Sequence, residues 1–141
     1  MSLLLDTNVI SELRKGPGAD INVVEWFSSV AEEEIHLSVL VVGELRRGVE
    51  GIRERDSRRA AALERWLRRV VRDHGDRILP VDLRVAEQWG RLTATRSGSV
   101  IDTLMAATAQ VFDLVLVTRN VKDVAWTGAS YVNPFDPPRP E

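Results

Sequence analysis

Short, mostly apolar runs alternate along this chain with longer segments of helical character. The runs occupy residues 3–5, 35–37, 78–81 and 114–117, with a shorter fifth at 131–132. Apolar runs of this kind are typical of strands that are buried on both faces of a sheet. Strands that alternate with helices favour an α/β fold with a mainly parallel central sheet.

Residues that begin helices stand at the expected places between these runs. Thr7 and Asn8 can cap a first helix that continues to about residue 14, before a Gly-Pro-Gly break at 16–18. We predict further helices after Asp20, over 39–48, over 58–73, from 83 to about 95 and from 100 to about 112. Asp20, Ser38, Asp82 and Ser99 are the expected caps of the helices that follow them. The 58–73 segment is strongly amphipathic, and Gly75 is expected to end it.

The length of 141 residues suits one domain. We expect that domain over residues 1–135, followed by an extended, proline-rich tail over 136–141. No apolar run approaches the ~20 residues that a membrane-spanning helix needs, so we expect no membrane association. The absence of cysteine excludes disulfides and thiolate chemistry and favours a reducing compartment.

The formal charge of −2 hides an uneven distribution. Ten arginines and four acids lie between Arg46 and Arg72, so that segment carries +6 and the remainder of the chain −8. The segment is either a solvated helix face or a binding surface on an otherwise acidic body.

Four acids follow apolar runs or lie in helices, at positions where a carboxylate is costly unless it is exposed or paired. Taken singly, each of these acids has an ordinary structural explanation. Asp6 follows the first apolar run and can cap a helix, and Glu44 sits in an apolar helix from which it can reach solvent. Asp102 can form a capping box with Ser99, and Asp123 can be a loop acid beyond the fourth run.

Taken together, these acids predict a site. Asp6 and Asp123 follow strands, while Glu44 and Asp102 occupy helices that a parallel sheet can bring to the same edge, where such folds bind ligands. Carboxylates gathered there would repel one another and raise their pKa values, and a divalent cation removes that conflict. Hard oxygen ligands favour Mg²⁺ or Mn²⁺. Such a site suits phosphodiester hydrolysis by metal-activated water.

The segments around the four acids resemble the conserved motifs of the PIN-domain nucleases. The resemblance spans nearly the whole chain and is carried, in order, by LLDTNVI at 4–10, LSVLVVGELRRG at 37–48, IDTLMAATA at 101–109, LVTRNVKD at 116–123 and VNPF at 132–135. Within that family the chain looks like the VapC and FitB toxins of bacterial type II toxin–antitoxin pairs. It departs from the family in a shorter connection before Asp102 and in Val124, where an aromatic residue is frequent.

The resemblance implies a PIN-like three-layer α/β/α sandwich and a Mg²⁺-dependent endoribonuclease in the bacterial cytoplasm. It also implies a cognate antitoxin partner, a homodimer and possible higher assembly with antitoxin and operator DNA. It implies a catalytic cluster of Asp6, Glu44, Asp102 and Asp123, with Asp6, Asp102 and Glu44 as metal ligands. Thr7, Asn8, Thr118 and Asn120 match accessory polar positions. With RNA as substrate, Arg65, Arg68, Arg69 and Arg72 become a weak candidate RNA-binding face.

Two alternative functions remain open at this point. An aspartyl-phosphate phosphatase would use Asp6 as its nucleophile, although Asn8 stands where that chemistry normally has a second Asp. A non-catalytic binding module would receive a basic side chain of a partner in the acidic pocket. A Ser–His–Asp hydrolase is disfavoured because neither His36 nor His74 accompanies a nucleophile motif.

Overall fold

The computed structural model describes residues 1–137, which form five strands and seven helices. The strands are β1 (Leu3–Leu5), β2 (Ile35–Ser38), β3 (Ile78–Leu79), β4 (Val115–Val117) and β5 (Tyr131–Val132). The helices are α1 (Thr7–Leu13), α2 (Ile21–Ser28), α3 (Val39–Ile52), α4 (Ser57–His74), α5 (Leu83–Thr93), α6 (Val100–Val111) and α7 (Val121–Val124).

All five strands are parallel and lie in the order β3-β2-β1-β4-β5. The chain therefore builds one half of the sheet outward from β1 and then returns to the other side of β1 to add β4 and β5. Leu5 pairs with Val117, so β1 and β4 end side by side. This is the point at which the strand order reverses, and it is where open α/β sheets bind their ligands.

The central strand shows why the sheet needs helices on both faces. Successive side chains of a strand point to opposite faces, yet Leu3, Leu4 and Leu5 are all buried. Helix α4 covers part of this core with Leu67 and Val70 and keeps its arginines in solvent. The predicted α/β architecture, with a parallel sheet between helical layers, is confirmed.

The predicted element positions are largely confirmed, with small corrections at the ends. Helix α3 continues to Ile52 rather than to residue 48, and β3 is only two residues long because Pro80 has no N–H for a further ladder bond. Helix α5 ends at Thr93 rather than at residue 95. Of the predicted 136–141 tail, residues 138–141 lie outside the described residues.

No helix within residues 1–137 combines the length and the apolar character needed to cross a membrane.

Candidate active site

Asp6 is the first residue after β1 and lies at the reversal point of the sheet. Its N–H donates to the carbonyl of Val117 at 2.9 Å, which continues the β1–β4 ladder by one residue. Asp6 is also the N-cap residue of α1, so the structural role expected for it is present. The prediction that Thr7 and Asn8 cap this helix is therefore wrong, since both lie in its first turn, and the capping carboxylate of Asp6 is only 6% exposed.

The Asp6 carboxylate is held by three hydrogen bonds. Oδ1 accepts from the N–H of Thr7 at 2.7 Å, and Oδ2 accepts from the Thr118 hydroxyl at 2.7 Å and the Asn8 amide at 3.3 Å. Burial raises the pKa of Asp6 and outweighs these hydrogen bonds, which lower it; the charge of Glu44 raises it further. Each carboxylate oxygen accepts about two hydrogen bonds, so Oδ1 keeps a free lone pair.

Glu44 reaches the same site from α3. The Thr7 hydroxyl donates to Glu44 Oε1 at 2.6 Å, so Thr7, whose N–H donates to Asp6, binds both carboxylates. The neighbours Val41 and Leu45 pack into the core and fix the helix, while Ser38 caps its first turn by accepting from the N–H of Leu40 at 3.0 Å. Glu44 is therefore partnered in the site rather than simply exposed.

Asp102 lies in the first turn of α6 and within electrostatic reach of the other three acids. Burial raises its pKa, and the charges of Asp6, Asp123 and Glu44 raise it further. The Ser99 hydroxyl accepts from the N–H of Asp102 at 3.5 Å, which is the first half of the predicted capping box. The helix dipole and this cap favour a carboxylate here, and the neighbouring acids oppose it.

The segment after β4 joins the site through its polar groups. The Thr118 hydroxyl that donates to Asp6 also accepts from the N–H of Asn120 at 3.0 Å. The N–H of Arg119 donates to Asn8 Oδ1 at 3.2 Å. Asp123, which we expected in a loop, lies instead in the short helix α7, where it is exposed to solvent.

The chemistry of these donors fits a hard divalent cation. All four acids carry carboxylate oxygens, the ligand atoms that hard cations prefer, and positive charge would relieve their mutual repulsion. Within residues 1–137, however, no three His, Cys, Asp or Glu side chains form a ready-made metal site. The hydrogen bonds of Thr7 instead connect the Asp6 and Glu44 carboxylates through one residue.

The arginines proposed as an RNA-binding face lie along α4. Arg65, Arg68, Arg69 and Arg72 are all exposed. Arg68 lies 3.8 Å from Glu64 and Arg72 lies 3.1 Å from Asp73, so two of the four already have acidic neighbours. Among the described residues, none of their ion pairs or hydrogen bonds reaches the acidic site.

An open groove of about 460 Å³ begins at the Thr7–Glu44 pair. It runs along α3, and its lining includes Thr7, Glu44, Arg47, Gly48, Gly51 and Arg55. Sequence reasoning counted these two arginines in the basic segment but did not place them at the site. The spacing of three residues from Glu44 on one helix is the signal that would have found Arg47, whereas Arg55 lies in the turn after α3, where helical spacing gives no signal.

The PIN-domain family model matches residues 3–122, most of the chain. The chain belongs to the PIN-domain family. It is 34% identical over 140 residues to the VapC ribonuclease Y4jK of Sinorhizobium fredii, with 96% of this chain and 99% of the relative aligned. It is 32% identical to toxin FitB of Neisseria gonorrhoeae, with 94% and 98% of the two chains aligned.

Solved structures agree with this assignment of the PIN domain. The crystal structure of FitAcB from Neisseria gonorrhoeae contains a chain with a TM-score of 0.85 and 31% identity, and the match covers 94% of this chain and 98% of that one. A chain in the structure of FitAB bound to a DNA fragment gives a TM-score of 0.86 at 28% identity over 97% of this chain and 98% of that one. The fold is therefore shared with these relatives over nearly their full length.

Proposed function

We propose that this PIN domain is a metal-dependent endoribonuclease that acts as the toxin of a type II toxin–antitoxin pair. The observation that supports the proposal is that Thr7 connects the Asp6 and Glu44 carboxylates at the reversal point of the sheet, while the charges of Asp6, Asp123 and Glu44 act on Asp102. The names of the relatives, a VapC ribonuclease and a FitB toxin, support the same function.

Asp6, Asp102 and Glu44 are the residues that would hold the cation. A bound Mg²⁺ or Mn²⁺ would supply an activated water and stabilise the charge that develops on the phosphate.

The remaining polar residues hold the carboxylates in place. Thr118 and Asn8 fix Oδ2 of Asp6, and Thr7 binds Asp6 through its N–H and Glu44 through its hydroxyl. These hydrogen bonds favour the charged form of Asp6 against the effect of burial. Such outer contacts orient ligands, and their loss usually weakens metal affinity or activity.

We further propose an antitoxin as the protein partner, RNA as the substrate and a homodimer as the working form. The solved relatives include FitAB bound to a DNA fragment, which supports assembly of the antitoxin complex on operator DNA.

The contacts of Asn8 argue against the first alternative function, the aspartyl-phosphate phosphatase. Asn8 uses its amide nitrogen on Asp6 and its amide oxygen on the N–H of Arg119, so it acts as a positioning amide where a phosphatase would need a second acid. A non-catalytic pocket would bind a basic partner and cleave no RNA with any metal.

The test is RNA cleavage by the purified wild-type protein with Mg²⁺, with Mn²⁺ and with chelator, beside Asp6→Asn and the matched control Glu87→Gln on α5. We expect metal-dependent cleavage by wild type and control and a loss of at least a hundredfold in Asp6→Asn, with circular dichroism unchanged. Equal cleavage by Asp6→Asn overturns the proposal. Trapping of a phosphorylated Asp6 favours the phosphatase, and antitoxin binding without cleavage favours the binding module.

A further inference from the structure

The groove that begins at the Thr7–Glu44 pair follows one face of α3 away from the acidic site. From Glu44, the lining positions Arg47, Gly48, Gly51 and Arg55 come three, four, seven and eleven residues on. Arg47, Gly48 and Gly51 share one face of α3 with Glu44, and Arg55 lies in the turn that follows the helix, beyond its end at Ile52. The groove therefore presents a carboxylate at one end and two arginines along its length.

The arginines of this region divide into two groups by their partners. Arg46 lies 2.7 Å from Glu64 and 3.1 Å from Glu50, and Arg53 lies 2.8 Å from Glu50 and 3.4 Å from Glu64. These ion pairs connect α3 and its C-terminus to α4, so their arginine charge is already compensated.

Arg47 and Arg55 belong to the second group. Both are exposed, and within residues 1–137 neither makes an ion pair. The arginines that face the groove therefore carry uncompensated positive charge beside an acidic site in a chain of net charge −2. A guanidinium is well suited to bind phosphate with two parallel hydrogen bonds.

Gly48 and Gly51 leave the groove open between the two arginines. A Cβ at either position would meet no atom within 4 Å beyond the neighbouring residues and the backbone of the helix itself. Glycine inside a helix costs roughly 0.5–1 kcal/mol relative to alanine, and packing does not demand it here. Because these two positions have no side chain, a nucleic acid backbone can approach the helix closely.

We propose that this groove binds the phosphate backbone of single-stranded RNA next to the scissile bond, with Arg47 and Arg55 as the phosphate-binding residues. The proposal rests on the ribonuclease function proposed above and names the path by which the substrate enters the site. It places RNA binding on α3 in preference to the arginine face of α4, of which no residue lines the groove within residues 1–137.

Binding is measured in the non-cleaving Asp6→Asn protein with a fluorescein-labelled single-stranded RNA, by anisotropy over a series of salt concentrations. Addition of Arg47→Ala and Arg55→Ala is expected to weaken binding roughly tenfold for each arginine. Two lost phosphate contacts should also reduce the slope of log K against log salt by about 1.4 for a single strand. The matched loss of two charges on α4, Arg65→Ala with Arg69→Ala, should have a clearly smaller effect on both quantities.

Two further measurements distinguish a binding groove from a general charge effect. In the cleaving protein, Arg47→Ala with Arg55→Ala should raise KM and leave kcat nearly unchanged, because these residues lie along the groove beyond the acids. Gly51→Leu should obstruct RNA binding while Gly90→Leu, at an equally open glycine of α5, should not.

An unchanged salt slope and affinity in the Arg47/Arg55 variant, or a larger loss in the α4 variant, overturns the proposal. Loss of antitoxin binding with RNA binding intact also overturns it, because the groove then serves a protein. If RNA binds through Arg47 and Arg55 but wild type does not cleave it, the ribonuclease function is contradicted. The proposal that the groove binds RNA is then still supported.

Discussion

The hydroxyl of Thr118 donates a 2.7 Å hydrogen bond to Oδ2 of Asp6, across 112 positions of sequence. Thr118 is fully buried and is the first residue after β4, as Asp6 is the first after β1. The bond therefore joins the ends of the two strands between which the strand order reverses. It holds a carboxylate that burial alone would tend to neutralise.

We expect Thr118→Val to lower RNA cleavage by roughly 10- to 100-fold, the usual cost of removing a residue that orients a metal ligand. Valine keeps the shape of threonine and removes only the hydroxyl, so Asp6 loses one of its three partners. Thr118→Ser restores the hydroxyl and should recover most of the activity. The kcat/KM of both variants and their Mg²⁺ dependence provide the measurement, and wild-type activity in Thr118→Val would contradict the positioning role.

Asp102→Asn is expected to abolish cleavage and at the same time to stabilise the metal-free protein. The side chain is partly buried and feels the charges of Asp6, Asp123 and Glu44, so its neutralisation removes repulsion at three places. Thermal unfolding in chelator should show a higher Tm for Asp102→Asn than for wild type. Glu87→Gln, an exposed acid of α5, is the control and should leave the Tm nearly unchanged. A lower Tm for Asp102→Asn would show that the acids do not repel one another.

Local sequence signals were sufficient to predict most of the fold. Asp20, Ser38, Asp82 and Ser99 each cap the helix that they were expected to cap, because the bond from cap side chain to backbone spans only two or three residues. Helix α4 shows where such signals were missed. It begins at Ser57, and its cap is Asp56, whose carboxylate accepts from the N–H of Arg59 at 3.0 Å.

The contacts that build the site depend on distances that sequence does not contain. Asp6 and Glu44 could be proposed as partners from their motifs, but their connection through Thr7 depends on how α3 packs beside α1. Likewise, ten arginines could be counted, yet which of them remain uncompensated depends on Glu64, which α4 brings within 2.7 Å of Arg46. Of the uncompensated pair, Arg47 lies on α3 and Arg55 in the turn after it, whereas the sequence favoured α4.

The ion pairs between α3 and α4 should make stability depend on acidity in a defined range. Hydrogen bonds from Arg53 and Arg46 lower the pKa of Glu50 from 4.5 to about 2. A lowered pKa means that Glu50 stabilises the fold above pH 4.5 and loses that effect as the pH falls toward about 2. Glu50→Gln should therefore be less stable than wild type at pH 7, with a difference that disappears toward pH 2.

Urea unfolding at several pH values measures this difference, and Glu87→Gln again serves as the matched control. Because the pairs are exposed, added salt should also reduce the difference between Glu50→Gln and wild type. A difference that persists at pH 2 would show that glutamine disturbs packing rather than charge.

Two glycines should respond to alanine with opposite signs. Gly75 ends α4 with φ +47° and ψ −117°, a conformation that a Cβ disfavours, whereas Gly90 lies inside α5. A Cβ at either position would meet no atom within 4 Å, so neither substitution is decided by packing. Gly75→Ala should lower the free energy of unfolding by about 1–3 kcal/mol through backbone strain. Gly90→Ala should raise it by roughly 0.5–1 kcal/mol because alanine favours the helix. Urea unfolding of both variants at one pH gives the two changes, and a stabilising Gly75→Ala would mean that α4 ends with a different backbone conformation.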